Sequence, residues 1–240
     1  MRAEMVACRF GWAVVVTAAL LLCAPALAAD EWDDLRTVVF GGVEAGPSSW
    51  ASVGAKRALG PSLDRDGWLL LSSVGGGVRP ERVDGASAVR VGTLASGLVG
   101  HQWIVGRTVV AVFGGAEIDH KQLLVAGAPL HLAEPRFGGR LQAELWSHPT
   151  DATLVTATLV AGSARGHVWG RASWGHEVWQ GVYVGPEAVA YLQDDYREGR
   201  LGLHLTGLSF GGVTFGVSAG GSFTDARTGG YVAISGHVRR

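Results

Sequence analysis

The side chains best suited to chemistry in this chain are its eight histidines, and their spacing argues against a shared site. They stand at His101, His120, His131, His148, His167, His176, His204 and His237. No pair has the H-x-x-x-H spacing that puts two imidazoles on one helical face, and no HExxH run occurs, so no metal site is expected. A serine nucleophile needs a base within hydrogen-bond reach. Ser173 and His176 are close in sequence but differ in strand parity, as do Ser209 and His204. Gly75-Gly76-Gly77 is followed by no Lys-Ser/Thr and opens no helix, so it reads as a bent or closely packed strand rather than a phosphate loop.

A second polar set is ordered differently. In the stretch 139–146, Leu141, Ala143 and Leu145 alternate with Arg140, Gln142 and Glu144. In 168–178, Val168, Gly170, Ala172 and Trp174 alternate with Trp169, Arg171, Ser173 and Gly175. In 182–192, Tyr183, Glu187 and Tyr191 share a face opposite Val184, Pro186 and Ala188, and in 197–208 His204 lies opposite Leu201, Leu203 and Leu205. Side chains on a strand alternate with period two, so one face is apolar and the other carries the charges. Arg140, Glu144, Arg171, Tyr183, Glu187, Tyr191 and His204 are therefore the candidate lining of an interior. Trp50 and Trp169 fall on the same predicted face. Two roles fit: a polar lining that contacts a glycan or tunes passage, or a network of ion pairs filling a narrow lumen.

The elements that must hold these faces are strands. Runs of about ten residues fall at 37–45, 49–59, 68–78, 87–99, 107–118, 139–146, 153–162, 168–178, 182–192, 197–208, 213–223 and 229–238. Glycine is 37 of 240 residues, about twice the usual share, and no window holds a clean helical period. The connections 79–86, 119–137 and 193–196 read as one set of loops, and 60–67, 100–106, 147–152, 179–181 and 209–212 as the other.

The first 28 residues read as a signal peptide: Arg2 and Arg9, an apolar run from Phe10 to Cys23, and the A-x-A site at Ala26-Leu27-Ala28. Both cysteines, Cys8 and Cys23, lie inside it, which excludes disulfides and thiolate chemistry from a mature chain of 29–240. A formal charge of −1 gives no basic bias, so nucleic acid is not an expected partner, and no cofactor is implied.

A soluble sandwich and a membrane barrel both alternate. Strand lengths of about 9–11 residues match a tilted membrane strand. Trp68, Trp103, Trp146, Trp179 and Tyr191 near strand ends fit interfacial girdles. The fold expected is all-β: an antiparallel up-and-down transmembrane barrel of about 12 strands, with lipid of the bacterial outer membrane against its apolar face.

The order of several short motifs resembles one family. They are Phe40-Gly41-Gly42-Val43-Glu44-Ala45, Asp66-Gly67-Trp68, Gly100-His101-Gln102-Trp103, Gly185-Pro186-Glu187, and the run Tyr196-Arg197-Glu198-Gly199-Arg200-Leu201-Gly202. The family is the cellulose biosynthesis protein BcsS, small exported alphaproteobacterial proteins. The resemblance runs from about Phe40 to the end. It implies an outer-membrane barrel with a non-enzymatic accessory role in cellulose biosynthesis or export, and cellulose or other cellulose-synthesis components as partners. It carries over no catalytic residue. The alternatives are a small general porin or surface-binding barrel, and an outer-membrane enzyme acting on lipid or glycan. Barrels of this kind commonly end on an aromatic residue that the assembly machinery reads, whereas this chain ends His237-Val238-Arg239-Arg240.

Overall fold

The structure, a computed structural model, describes residues 35–83, 85–125, 133–194 and 196–240. The expected signal peptide, with both cysteines, lies outside the described residues, as does His131.

Twelve strands close into one antiparallel barrel in which each strand pairs with its sequence neighbours and β1 pairs with β12. They are β1 Thr37–Ala45, β2 Ser49–Ala58, β3 Gly67–Val83, β4 Ala86–Val105, β5 Thr108–Val125 and β6 Arg136–Ser147. The second half is β7 Thr153–Gly162, β8 His167–Trp179, β9 Val182–Gln193, β10 Tyr196–Phe210, β11 Val213–Thr224 and β12 Thr228–Arg239. Closure leaves no strand edge unpaired at the level of the wall, the condition for a sheet to cross lipid. The C-terminus belongs to the seam. Arg240 accepts from the amides of Arg36 and Thr37 at 2.9 and 2.6 Å and donates to the Thr37 carbonyl at 2.7 Å.

The turns follow from local chemistry. Phe210 pairs with Val213 across Gly211 and Gly212, whose φ values of 60° and 77° are those of a type I′ hairpin. Gly207, at φ 99°, forms a bulge between Thr206 and Leu208; a Cβ there would lie 1.9 Å from the Gly181 carbonyl oxygen.

Exposure separates the two faces. Leu141, Leu159, Leu201 and Leu203 are 65%, 54%, 62% and 63% exposed, while Phe113, Leu69 and Leu98 are each 1% exposed on the opposite face. A soluble sandwich would bury the first set; an apolar wall turned outward is the signature of a surface solvated by lipid. Trp68, Trp103 and Trp179 are exposed at the end that carries the termini, and the rings of Trp68 and Trp103 both pack on His101. Trp146 and Tyr191 do not join an outer girdle. Their registers, opposite Thr156 and Trp169, put them on the inward face near the two mouths.

Two of the expected loops are partly strand. β3 and β5 run on past their last partners on β2 and β6, at Val78 and Asp119, and pair only with β4. Residues 79–83, 86–91 and 120–125 thus form a three-stranded flap above the rim opposite the termini. The loop 60–67 also departs from a simple turn, because it folds back into the mouth at the termini end.

Candidate functional site in the barrel lumen

The lumen divides into two zones. On the β1–β5 side of the termini end it is apolar. Leu69 and Leu71 of β3, Leu98 of β4, Ala111 and Phe113 of β5 and Ala58 of β2 pack together, with Val38 and Phe40 against them. Leu63 joins this cluster from the loop between β2 and β3. The buried Gln102 amide holds the loop in place, donating to the carbonyls of Leu63 and Arg65 at 2.7 and 2.6 Å. Asp66 accepts from the Ile104 amide at 2.6 Å, and Leu63 donates to the Leu35 carbonyl at 3.0 Å. The result is a hydrophobic plug on the β1–β5 side of the lumen.

The rest of the lining is polar, and its charged groups meet in pairs. Arg171 donates through Nε to Glu187 at 2.8 Å, and Tyr231 donates to the other Glu187 oxygen at 3.2 Å. Arg140 donates to Gln142 at 3.4 Å and Gln142 to Glu144 at 2.8 Å; Glu144 also meets Lys56 of β2 in an ion pair. Arg140 further lies 3.7 Å from Glu117, whose side chain is fully buried and accepts from the Ala164 amide at 3.1 Å. His167 Nε2 is 3.8 Å from the same carboxylate, and Arg165 donates to Asp119 at 2.6 Å. Burying a charge without a partner costs several kcal/mol, roughly 3–5 when one member of a pair is removed, so a narrow polar lumen must be built from such pairs.

A third cluster spans the lumen near the far mouth. Arg200 donates through Nε to Glu198 at 2.7 Å and through Nη1 to Glu44 of β1 at 2.8 Å. Glu198 also accepts from Tyr196, Ser222 and Ser48 at 2.7, 2.8 and 3.2 Å. The Arg79 guanidinium of β3 sits 3.9 Å from the centre of the Tyr196 ring of β10. Lys121 of β5 and Tyr191 of β9 both donate to Gln193, at 2.5 and 2.8 Å. β3 and β10 are far from adjacent in the barrel order, so the Arg79–Tyr196 contact crosses the opening.

The seven candidate residues thus fall into four places. Arg171 and Glu187 bond each other directly. Arg140 and Glu144 are linked through Gln142. Tyr191 stacks beside His167 near the far mouth, at a ring separation of 6.3 Å. His204 and Tyr183 flank Gly175 toward the termini end. His204 Nε2 lies 3.2 Å from the Trp174 carbonyl, so it carries the proton, and Nδ1 accepts from Thr206 at 3.0 Å. Tyr183 packs on His148, with ring centres 5.8 Å apart. Neither serine considered above meets its histidine: Ser173 bonds Thr156 at 2.7 Å and Ser209 bonds Thr214 at 3.2 Å. Among the described residues, no cluster of His, Cys, Asp and Glu could hold a metal ion.

Sequence reasoning missed Lys56, Glu44, Glu117, Glu198 and Arg79 as members of the lining. Parity alone would have placed Glu198 with Arg200 and His204. Nothing in the sequence pairs Lys56 with Glu144 or Arg79 with Tyr196, because those strands are not neighbours.

The chain is similar in fold to solved bacterial outer-membrane barrels. The translocator domain of the autotransporter NalP from Neisseria meningitidis aligns over 97% of this chain and 97% of its own, at 11% identity and a TM-score of 0.52. The β-domain of the Bordetella autotransporter BrkA aligns over 86% of this chain and 100% of its own, at 14% identity and a TM-score of 0.52. Among curated proteins, none matches the chain in sequence. The model of one protein family, cellulose biosynthesis protein BcsS, matches residues 38–240, the whole barrel. With its outward apolar wall and closed seam, the chain is an outer-membrane β-barrel that belongs to the BcsS family of cellulose biosynthesis proteins.

Proposed function

We propose that this protein is a non-enzymatic accessory of cellulose production or export, acting as an occluded barrel in the outer membrane and not as the conduit for the polymer. Residues 1–28 are a signal peptide removed on export, and 29–240 form the mature barrel. The termini face the periplasm, so the flap and the far mouth face the cell exterior. Its partners are outer-membrane lipid around the wall, and cellulose or other components of the synthesis machinery at the mouths.

The observation that carries this reading is the filled lumen of a BcsS-family barrel. A glucan chain or a general porin flux needs a continuous water path. Leu69, Leu71, Leu98, Phe113 and the tucked Leu63 stand in that path, and apolar constrictions of this kind exclude water and ions. Lys56 and Glu144, from strands that are not neighbours, meet beside the Phe113 ring and narrow the same level. The paired carboxylates and arginines serve as filling that stabilises the wall.

The test is a deletion strain scored for surface cellulose, complemented with the full-length gene. Reduced cellulose restored by complementation, with the protein in the outer-membrane fraction, is the expected result. Normal cellulose in the deletion strain would overturn the accessory role.

A further inference from the structure

One feature of the far half of the lumen is not explained by ion-pair filling. Trp50 of β2 points inward, directly across from Glu44 on β1 and Gly77 on β3. Its indole lies flat on a bare stretch of wall. A Cβ on Gly75 would meet Trp50 Cζ2 at 2.7 Å and Nε1 at 2.9 Å. One on Gly77 would meet Cε3 at 2.6 Å, and one on Gly92 of β4 would come within 4.0 Å of Cζ3. The ring therefore covers glycines on two strands, and the Gly75-Gly76-Gly77 run of the sequence includes two of them. One face of the ring is pressed to the wall and the other is turned to the lumen. Trp50 is only half-buried.

The surroundings suit a particular ligand. Glu44 is held by Arg200, Arg79 and Arg90 both share Glu81, and Lys121 bonds Gln193. With Glu198, three carboxylates stand against these four cations, and each of the arginines is bonded to a carboxylate, so little charge is left to draw in a polyanion. An indole face offers the apolar C–H face of a pyranose a stacking surface, and the planar carboxylate, amide and guanidinium groups near it match vicinal hydroxyls. Below the ring, the apolar plug closes the way through.

We propose that the far half of the lumen is a blind cup that binds a neutral, β-linked glycan chain, with Trp50 as its stacking platform. The site stands on the indole geometry; the choice of a β-glucan rests on the cellulose reading above. Entry from the flap side requires the Arg79 side chain to leave the Tyr196 ring that it covers across the opening; the bound chain then stops at the plug, so the barrel holds glycan at the cell surface without passing it.

The test uses the full barrel, folded in detergent micelles, with cellohexaose as probe and isothermal titration calorimetry as readout. Maltohexaose tests the linkage and oligogalacturonate the charge. Cellohexaose should bind, with little or no heat from oligogalacturonate. Trp50→Ala should weaken binding at least tenfold, and Trp50→Phe, which keeps a stacking ring, should recover part of it. Far-UV circular dichroism of each variant checks that the barrel is folded. No heat with cellohexaose, or equal affinity in wild type and Trp50→Ala, overturns the site. Tighter binding of oligogalacturonate overturns the neutral-ligand assignment. The accessory role fails separately: a deletion strain with normal cellulose sinks that role even where the cup binds glycan, and a cellulose defect with no glycan binding leaves the role standing and removes the cup.

Discussion

The Arg200 cluster gives the sharpest energetic test of how the lumen is built. Replacing Arg200 with Gln removes the cation that joins Glu198 to Glu44. The Arg200 side chain is 6% exposed and that of Glu198 only 4%, whereas Glu44 is 28% exposed. Glu44 can recover water; Glu198 cannot. Breaking a buried pair by removing one partner costs roughly 3–5 kcal/mol. Glu198 keeps hydroxyl donors from Tyr196, Ser222 and Ser48, so the loss should fall near the lower end, about 3 kcal/mol. Glu198→Gln leaves Arg200 bonded to Glu44 and should cost less, about 1–2 kcal/mol. In the double variant no buried charge is stranded, so its cost should fall below the sum of the singles by about 1–2 kcal/mol. The assay is urea unfolding of the barrel in lipid vesicles, followed by tryptophan fluorescence, with the slope checked to be unchanged. A loss within about 0.5 kcal/mol for Arg200→Gln, or strict additivity in the cycle, would refute the claim that this network is a desolvated unit.

Two further substitutions probe the wall and the glycine bed. Leu203 is 63% exposed in the middle of β10, and Leu203→Arg should destabilise the barrel by about 2–4 kcal/mol in vesicles if that face meets lipid; an unchanged urea midpoint would contradict the outward assignment. Gly77→Val would put a Cβ 2.3 Å from the Ser49 carbonyl oxygen and 2.6 Å from the Trp50 ring. It should cost about 1–3 kcal/mol and shift the tryptophan emission, and a variant with wild-type stability and spectrum would show that the ring does not lie where the geometry puts it.

Much of the architecture is legible in the sequence because lipid enforces alternation. β9 and β10 were expected at 182–192 and 197–208 and occur at Val182–Gln193 and Tyr196–Phe210. The outward Leu201 and Leu203 and the inward Arg200 and His204 follow from parity alone. Alternation fails where lipid no longer acts on the strand. Above the rim, residues 79–83 and 120–125 have polar side chains on both faces, which reads as loop, yet they stay paired through β4. Inside the plug it fails in the other direction. Trp68 and Leu70 face outward while Leu69 and Leu71 face inward, so β3 is apolar on both sides there and gives no sign of which face is buried. Partners across the lumen are the least visible feature. Parity says that Lys56 and Glu144 both face inward, but only the closed order of the strands brings them together. The bed under Trp50 was visible as a glycine run whose purpose depends on a side chain from the neighbouring strand.

The central claim is that the lumen is shut, and single-channel recording in planar bilayers tests it most directly. Purified full-length barrel, inserted at increasing amounts in high salt, should give current that never rises above background, because the plug of Leu69, Leu71, Leu98 and Phe113 stays dry. Discrete, long-lived conductance steps from the wild-type protein would contradict the account and return the lumen to the role of a passage.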